Sequence, residues 1–445
     1  MSPTDTHTHD VVAIGLGPFN LGLAALTDPI EELDCVFLDR AAGFDWHPGM
    51  MLETATLQTP FLADLVTLAD PTSRFSFLSY LKQAGHLYSF YIRETFQPLR
   101  SEFNAYCQWV AAQLDTLRWG REVEAVTYDA DADAYVVEAT VRGAGGRTVR
   151  RETYRARHLV VGSGTPPHIP PGVDPLPGDA VHSSGYLDAR DELVGKRSLA
   201  VVGGGQSAAE IFLDLLDGID EHGYALTWIT RSPRFFPLDY TKLTLEMTSP
   251  EYVDYFHDLP PGVRDDLIRD QAQLYKGIDA ELIDAIFHTL YRKHRRGRPM
   301  ARLLTNTELV GATHEDGCFA LDLHQTEADE RFSLAAEGLV LATGYRHQVP
   351  AFLDGVRDRI AWDDRGRYDV ARDYSIDAGR EGRLFVQNGE LHTHGFTAPD
   401  LGMACYRNSC IIRSLLGREV YAVERAIAMQ EFGVPARAAT PAGVR

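Results

Sequence analysis

Every position of Val11-Val12-Ala13-Ile14 is apolar, the pattern of a strand covered on both faces, and the run leads straight into Gly15-Leu16-Gly17. From Leu21 to Leu26 the apolar spacing is helical, and after Pro29 the segment Cys35-Val36-Phe37-Leu38-Asp39 reads as the next strand. Strand, glycine turn, helix and strand make a βαβ unit, whose turn lets the backbone touch a pyrophosphate while the helix points its free amides at the phosphates. Gly15, Gly17, Pro18, Phe19 and Asn20 fill the G-x-G-x-x-G positions, with Asn20 where the third glycine would stand. Asp39 lies 24 residues after Gly15, at the distance of an acid that meets a ribose hydroxyl.

Residues 44–96 are polar and aromatic-rich, with a turn at Asp70-Pro71-Thr72-Ser73, and residues 104–117 form an amphipathic helix candidate. Residues 123–126, 135–141 and 153–155 alternate as a β-meander, closed by Leu159-Val160-Val161 and a glycine turn. The second half repeats this plan. Ser198-Leu199-Ala200-Val201-Val202 is a strand; Gly203, Gly205, Gln206, Ser207 and Ala208 sit in a G-x-G-x-x-A turn opening a helix to Leu216, and residues 226–230 are the following strand. Residues 308–312 and 318–324 make a second meander, and Gly338-Leu339-Val340-Leu341 followed by Ala342-Thr343-Gly344-Tyr345 copies the closing strand and turn. Two such units imply two dinucleotides. The second unit's strand ends in Arg231 rather than an acid, and a guanidinium there pairs with a 2′-phosphate, which favours NADPH; a solvated surface arginine is the plain alternative.

A helix-rich insertion, with helices predicted over 250–258, 263–274 and 281–294, interrupts the second unit and serves either as a substrate-holding lid or as a packing element. The expected organisation is α/β, two Rossmann-like dinucleotide-binding domains with a helical substrate-binding insertion. The segments are 1–190 and 336–445 for the first domain, 191–240 and 301–335 for the second, and 241–300 for the insertion.

Composition narrows the function classes. The 445 residues carry a net charge of −20 with a pI near 5.2, which disfavours nucleic acid and anionic membrane but attracts a basic substrate. Only five of the 43 basic residues are lysine, and the acidity also fits the solvated surface of a salt-adapted organism. No apolar run approaches the roughly 20 residues that cross a bilayer, so a cytoplasmic protein is expected. Cys35, Cys107, Cys318, Cys405 and Cys410 form no C-x-x-C pair, which argues against a disulfide-reductase dithiol and a zinc site.

A flavin nucleotide in the first unit and NADPH in the second mean hydride transfer from nicotinamide to flavin. Leu176, Gly178, His182 and Tyr186 take the spacing F-x-G-x-x-x-H-x-x-x-W, similar to the fingerprint of NADPH-dependent flavin monooxygenases but with both aromatic ends altered. More specific are Phe44-Asp45-Trp46-His47-Pro48-Gly49-Met50-Met51, Leu57-Gln58-Thr59-Pro60-Phe61, Asp64-Leu65-Val66-Thr67, Pro250-Glu251-Tyr252-Val253-Asp254-Tyr255-Phe256, Tyr275-Lys276-Gly277-Ile278 and His392-Thr393-His394-Gly395. In order and over nearly the whole chain, these resemble the microbial N-hydroxylating flavin monooxygenases, which act on lysine, ornithine or small diamines in hydroxamate siderophore biosynthesis.

The resemblance implies FAD reduction by NADPH, oxygen addition to a C4a-hydroperoxyflavin shielded by bound NADP⁺, and attack of a neutral amine on the distal peroxide oxygen. An alkylammonium has a pKa of about 10.4, so the site must favour its neutral form. It further implies that Asp39, Arg40, Trp46 and His47 line FAD, that Gln58 stands beside the isoalloxazine with His47 in catalytic roles, and that Val123 and the loop Thr397-Ala398-Pro399-Asp400 complete the flavin site. Thr343, Gly344 and Tyr345 join Arg231 around NADPH. Trp46 as plain core and Gln58 as a helix cap are the structural alternatives. His392 and His394 lack a third ligand, and no metal is expected. The resemblance also implies a homo-oligomer, a tetramer in many relatives.

Departures from the family pattern bear on the substrate. A lysine that pairs with an amino-acid carboxylate is replaced by Ala63, and two asparagines of the insertion by Leu245 and Leu274. Burying a carboxylate without a partner is costly, whereas a diamine brings none. The expected substrates are therefore O₂ and a diamine, cadaverine ahead of putrescine or diaminopropane. The alternatives are L-lysine or L-ornithine, a Baeyer-Villiger or sulfur oxygenase, and a non-catalytic dinucleotide-binding redox sensor.

Overall fold

The computed structural model describes residues 4–143, 147–173, 175–297 and 300–434. In the first sheet, β1 (Thr4–Ile14) pairs in parallel with β2 (Cys35–Asp39), and β2 with β3 (Leu117–Trp119). β4 (Arg121–Asp129), β5 (Ala134–Arg142) and β6 (Thr148–Val161) are the antiparallel meander. Residues 153–155 and 159–161, separate elements in the sequence reading, belong to the single 14-residue β6. The strand runs unbroken because β1 lines one edge while β5 lines the other up to Ala156.

The second sheet holds β7 (Val181–His182), β8 (Ser198–Val202), β9 (Ala225–Ile229) and β10 (Ala301–Leu304). β11 (Thr307–Glu315), β12 (Cys318–Gln325) and β13 (Glu330–Ala336) form a separate antiparallel sheet. β14 (Gly338–Leu341) enters the second sheet between β8 and β7, all in parallel, whereas β15 (Leu384–Val386) returns to β6 beyond the end of β5. β13 escaped the sequence reading because its outer positions are solvated and show no apolar alternation. β7 and β14 also correct the expected boundaries at 190 and 336, since both strands bond within the second sheet.

Both parallel sheets are covered on two faces, as their continuous apolar strands require. Val11 and Ala13 enter one buried cluster while Val12 and Ile14 enter the other, and Leu199 and Val201 divide from Ala200 and Val202 in the same way. The helix Pro18–Thr27 follows β1, and Gln206–His222 follows β8. The helix expected over 104–117 runs instead from Arg100 to Ala111, because Leu117 is already claimed by β3. Residues 44–96 contain two unexpected short helices, Phe77–Gln83 and Leu87–Arg93.

The insertion comprises helices Lys242–Leu245, Pro250–Asp258, Pro261–Asp270, Gln273–Lys276 and Ala280–Arg296, so the element expected over 263–274 is broken in two. Ala280–Arg296 packs on Gln206–His222 of the second unit, while Pro250–Asp258 and Pro261–Asp270 pack on the helix Leu391–His394 of the first. The insertion therefore bridges both nucleotide-binding units.

Candidate active site

At the end of β1, Gly15 has φ of +90°, and a Cβ there would lie 2.3 Å from the Gly162 carbonyl oxygen, so only glycine lets β1 and β6 approach this closely. A Cβ on Gly17 would meet nothing within 4 Å; the backbone is open on that side, as a pyrophosphate cradle requires, and Pro18 starts a helix without a side-chain cap. Phe19 stacks under the Arg407 guanidinium, 4.5 Å from ring centre to carbon. Asn20 accounts for the missing third glycine. Its Nδ2 donates to the Gly15 carbonyl (2.7 Å) and its Oδ1 accepts from Gln387 (2.7 Å), so the side chain fastens the turn from beneath.

Asp39 holds the same turn, its Oδ2 accepting from Leu16 N (2.6 Å) and its Oδ1 from Ala41 N (2.7 Å). Each oxygen keeps a lone pair for a ribose hydroxyl. Arg40 is exposed beside it. Val123 sits at a bulge in β4 against the second core cluster. Trp46 does partly what its structural alternative expects, packing on Phe103 at 5.5 Å between ring centres.

His47, left-handed at φ 52°, has neighbours on both sides, with Trp46 at 5.0 Å and Tyr345 at 5.7 Å. Its ring keeps an exposed edge, but crowding by the protein, followed by the Arg100 charge, pushes its pKa down to about 4 and keeps it neutral. Tyr345 in turn meets His182 at 5.3 Å. His182 Nε2 donates to the Gly344 carbonyl (3.1 Å) and its Nδ1 accepts from Ser184 N (3.2 Å), so the histidine of the altered fingerprint ties β7 to the closing turn of the second unit. Thr343 serves that turn as well, its hydroxyl donating to the His168 carbonyl at 2.5 Å. Residues of the two units thus converge on one cleft.

Gln58 Nε2 and Thr59 Oγ1 are buried without a protein partner. Such orphans are costly unless a ligand satisfies them, which fits a flavin ring with its carbonyls and ring nitrogens. The closing loop is anchored from below. Thr397 Oγ1 donates to His394 O (2.8 Å), the Ala398 carbonyl accepts from Arg407 (2.7 Å), Pro399 is exposed, and Asp400 Oδ1 accepts from Gly402 N (2.6 Å). Arg407 also pairs with Glu390 at 2.7 Å with both side chains fully buried; burial, opposed by Arg407, pushes the Glu390 carboxyl up. Neither residue drew notice in the sequence, where a lone charge inside an apolar helix was the available signal.

The second cradle repeats the first. Gly203 has φ of +152°, and a Cβ there would lie 2.2 Å from the Ala342 carbonyl oxygen; the Gly203 carbonyl accepts from the Trp228 indole at 2.8 Å. Gly205 opens the helix without a side-chain cap, Ser207 is half-buried in the first turn and Ala208 is fully buried. The Gln206 side chain, expected at NADPH, also ties the helix to the insertion. It donates to Glu210 and accepts from Asp279 N, both at 2.9 Å, which orients the side chain toward those two partners and leaves one side-chain N–H and the backbone amide free for a phosphate. Arg231 is exposed beyond β9, and Lys276, missed by the sequence reading, stands close enough for the Arg231 charge to add to partial burial in lowering its pKa. Two cations at that strand end suit a 2′-phosphate.

Of the three substrate positions, Ala63 is 6% exposed and lies 4.0 Å from the position of a Cβ on Gly402, and Leu274 joins an aromatic cluster with Tyr252, Phe256 and Phe396. Leu245 is exposed on its short helix, and the structure brings it into neither group. His392 and His394 donate to the Tyr368 and Arg372 carbonyls rather than converging on one point. Among the described residues, His7, His9 and Asp34 do place three donor atoms within 4.8 Å of one another, where the two histidines hydrogen-bond to Asp34.

Residues 7–347 match the model of the L-lysine 6-monooxygenase/L-ornithine 5-monooxygenase family. A putrescine N-hydroxylase of Shewanella oneidensis is 48% identical over 96% of this chain and 85% of its own. The crystal structure of a cadaverine monooxygenase of the desferrioxamine pathway from Erwinia amylovora, bound to FAD, superposes with a TM-score of 0.94 at 54% identity, covering 97% of this chain and all of that one. An ornithine N-hydroxylase from Kutzneria sp. 744, solved with reduced FAD, NADP⁺ and L-ornithine, gives 0.83 at 30% identity over 92% and 99% of the two chains. Two facing dinucleotide cradles, a bridging helical insertion and these likenesses over almost the full length place the chain in the family of L-lysine 6-monooxygenases and L-ornithine 5-monooxygenases.

Proposed function

We propose that this chain hydroxylates one terminal amine of a diamine in siderophore biosynthesis, with cadaverine ahead of putrescine and diaminopropane. It is an FAD- and NADPH-dependent N-monooxygenase. When bound, NADPH supplies the hydride and FAD the oxygen chemistry; the chain's residues bind, orient and exclude water. Gly15, Gly17, Asn20 and Asp39 hold the flavin nucleotide, Gln58 and Thr59 offer their unpaired atoms to its ring, and Gly203, Gly205, Arg231 and Lys276 hold NADPH. His47 stays neutral beside that ring and adds no charge to the cleft.

The observation that carries the substrate assignment is the uncharged character of Ala63 and Leu274, where amino-acid substrates would need polar anchors; Leu245, exposed on its helix, adds nothing to it. The names of the Shewanella and Erwinia relatives support the same reading. A panel of cadaverine, putrescine, diaminopropane, lysine and ornithine, followed by hydroxylamine formation and oxygen-coupled NADPH consumption, tests it. The expected result is diamine turnover at least tenfold above either amino acid; a preference for lysine or ornithine removes the assignment.

We also infer a cytoplasmic homo-oligomer, a tetramer. Among the described residues no helix is long and apolar enough to cross a membrane. Helix Leu87–Arg93 buries none of its residues, and Tyr88 (76% exposed), Tyr91 (76%), Ile92 (73%) and nearby Phe96 (69%) make a contiguous apolar surface of the sort that subunit contacts cover. Light scattering coupled to size exclusion should return about four times the 49.4 kDa chain mass, falling on Ile92→Glu. A monomeric wild type overturns the inference.

A further inference from the structure

A diamine poses a charge problem that its apolar stem does not solve. The reacting nitrogen must be neutral, yet the other keeps its proton at neutral pH, with an ordinary pKa of about 10.4. Enclosing that ammonium without an anion carries a desolvation penalty that an adjacent carboxylate offsets. The departures at Ala63 and Leu274 remove polar partners but supply no negative charge.

The segment beside Ala63 supplies one. A Cβ on Gly402 would lie 4.0 Å from that of Ala63, and Gly402 N donates to Asp400 Oδ1 at 2.6 Å, which leaves Oδ2 of the same carboxylate. Among the described residues, no lysine, arginine or histidine forms an ion pair with Asp400, although the Arg407 charge acts on it; Arg407 is paired with Glu390. Burial, followed by the charges of Asp400 and Asp279, pushes up the pKa of Tyr240, which immediately precedes the insertion. Asp279 is already committed: its carboxylate caps the helix Ala280–Arg296, and its backbone amide bonds Gln206 at the mouth of the second cradle.

We propose that Asp400, on the loop that packs beside Ala63, is the specificity-determining anion that holds the ammonium at the far end of the diamine. This rests on the diamine reading above and moves Asp400 from the flavin-binding role its loop suggested to the substrate. Burial, opposed by the Gly402 amide and by Arg407, pushes the Asp400 carboxyl up, and an arriving ammonium restores its charge. Ala63 is small because a lysine there would occupy the carboxylate that the substrate needs.

The test compares cadaverine with 1-aminopentane, which has the same chain without the second nitrogen, on the FAD-loaded enzyme. Wild type should show a kcat/KM ratio of cadaverine to 1-aminopentane of about 100 or more. Asp400→Asn keeps the acceptor for Gly402 and removes the charge; it should lower that ratio at least thirtyfold, through KM for cadaverine, with FAD still bound. Ala63→Lys should lower it similarly. Asp400→Glu advances the carboxylate by one methylene and should shift preference from cadaverine toward putrescine, a change of length register that a merely structural role would not produce. An unchanged ratio in Asp400→Asn overturns the assignment, as does loss of FAD, which would make Asp400 a flavin ligand. Both of those results leave the diamine reading standing; a wild type that prefers lysine overturns the two together.

Discussion

Asn20 shows how one side chain replaces a motif residue. The third glycine of a dinucleotide turn allows close packing of helix on strand. Here the asparagine fills that space and bonds the Gly15 carbonyl and Gln387, while a Cβ on Gly162 would run into it at 2.6 Å. Asn20→Ala leaves two buried groups unpaired and should cost about 1–3 kcal/mol, read from urea unfolding of the FAD-free protein. His47 couples stability to pH. Its folded pKa of about 4 lies below the ordinary 6.5, so as pH falls from about 6.5 to about 4 the unfolded chain takes up a proton that the folded chain refuses. Stability therefore drops across that window, and His47→Gln should flatten the drop when urea midpoints at pH 7 and pH 5 are compared. Ring-proton shifts of His47 should show no step between pH 5 and 8.

At the scale of elements, the strand–turn–helix units were legible because each combines an all-apolar strand with glycines whose positive φ or close contacts allow no side chain. β2 and β8 start and stop where the sequence pattern places them, as does the helix Pro250–Asp258, which Ser249 caps by accepting from Tyr252 N. Exposed elements were not legible: β13 faces solvent without an apolar alternation, and helix Leu87–Arg93 is apolar on nearly every side, so neither shows a period that sets one face apart. The end of β9 carries its own prediction. Arg231→Ser removes one of two cations at the 2′-phosphate position, and loss of a charge-assisted bond of about 1.5–3 kcal/mol should raise KM for NADPH about 10- to 100-fold while leaving that for NADH within twofold. Equal effects on both nucleotides would show that Arg231 does not read the phosphate.

For the whole molecule, the decisive contact joins the two nucleotide-binding units. Arg100, at the start of its helix, forks onto Glu210 with bonds of 2.9 and 2.7 Å and also reaches the Met50 carbonyl at 2.8 Å, the two side chains being 12% and 6% exposed. Glu210 accepts from Gln206 as well, and Gln206 bonds the insertion through Asp279, so flavin unit, NADPH unit and insertion share one polar chain. Removing one partner strands a charge: Arg100→Met should cost about 3–5 kcal/mol, and the double change Arg100→Met with Glu210→Leu should recover much of it. Denaturant midpoints of the four proteins check this. Additive losses would mean that the pair does not couple the units.

Local sequence determined what depends on a few consecutive residues: the two cradles, the strands that feed them, the apolar replacement of the three polar anchors and the excess of negative charge. Backbone sterics and apolar period act over short spans, so they are written in the order of the chain. Only the tertiary structure decided which strands share a sheet, that β7 and β14 belong to the second unit, that Gln206 bonds Asp279, and that Arg100 meets Glu210 across 110 residues. Pairings of that separation depend on where folding carries two side chains, and no spacing along the chain encodes them. Asp400 belongs to the same class, since its loop packs, through Gly402, beside Ala63 from a distant stretch of sequence.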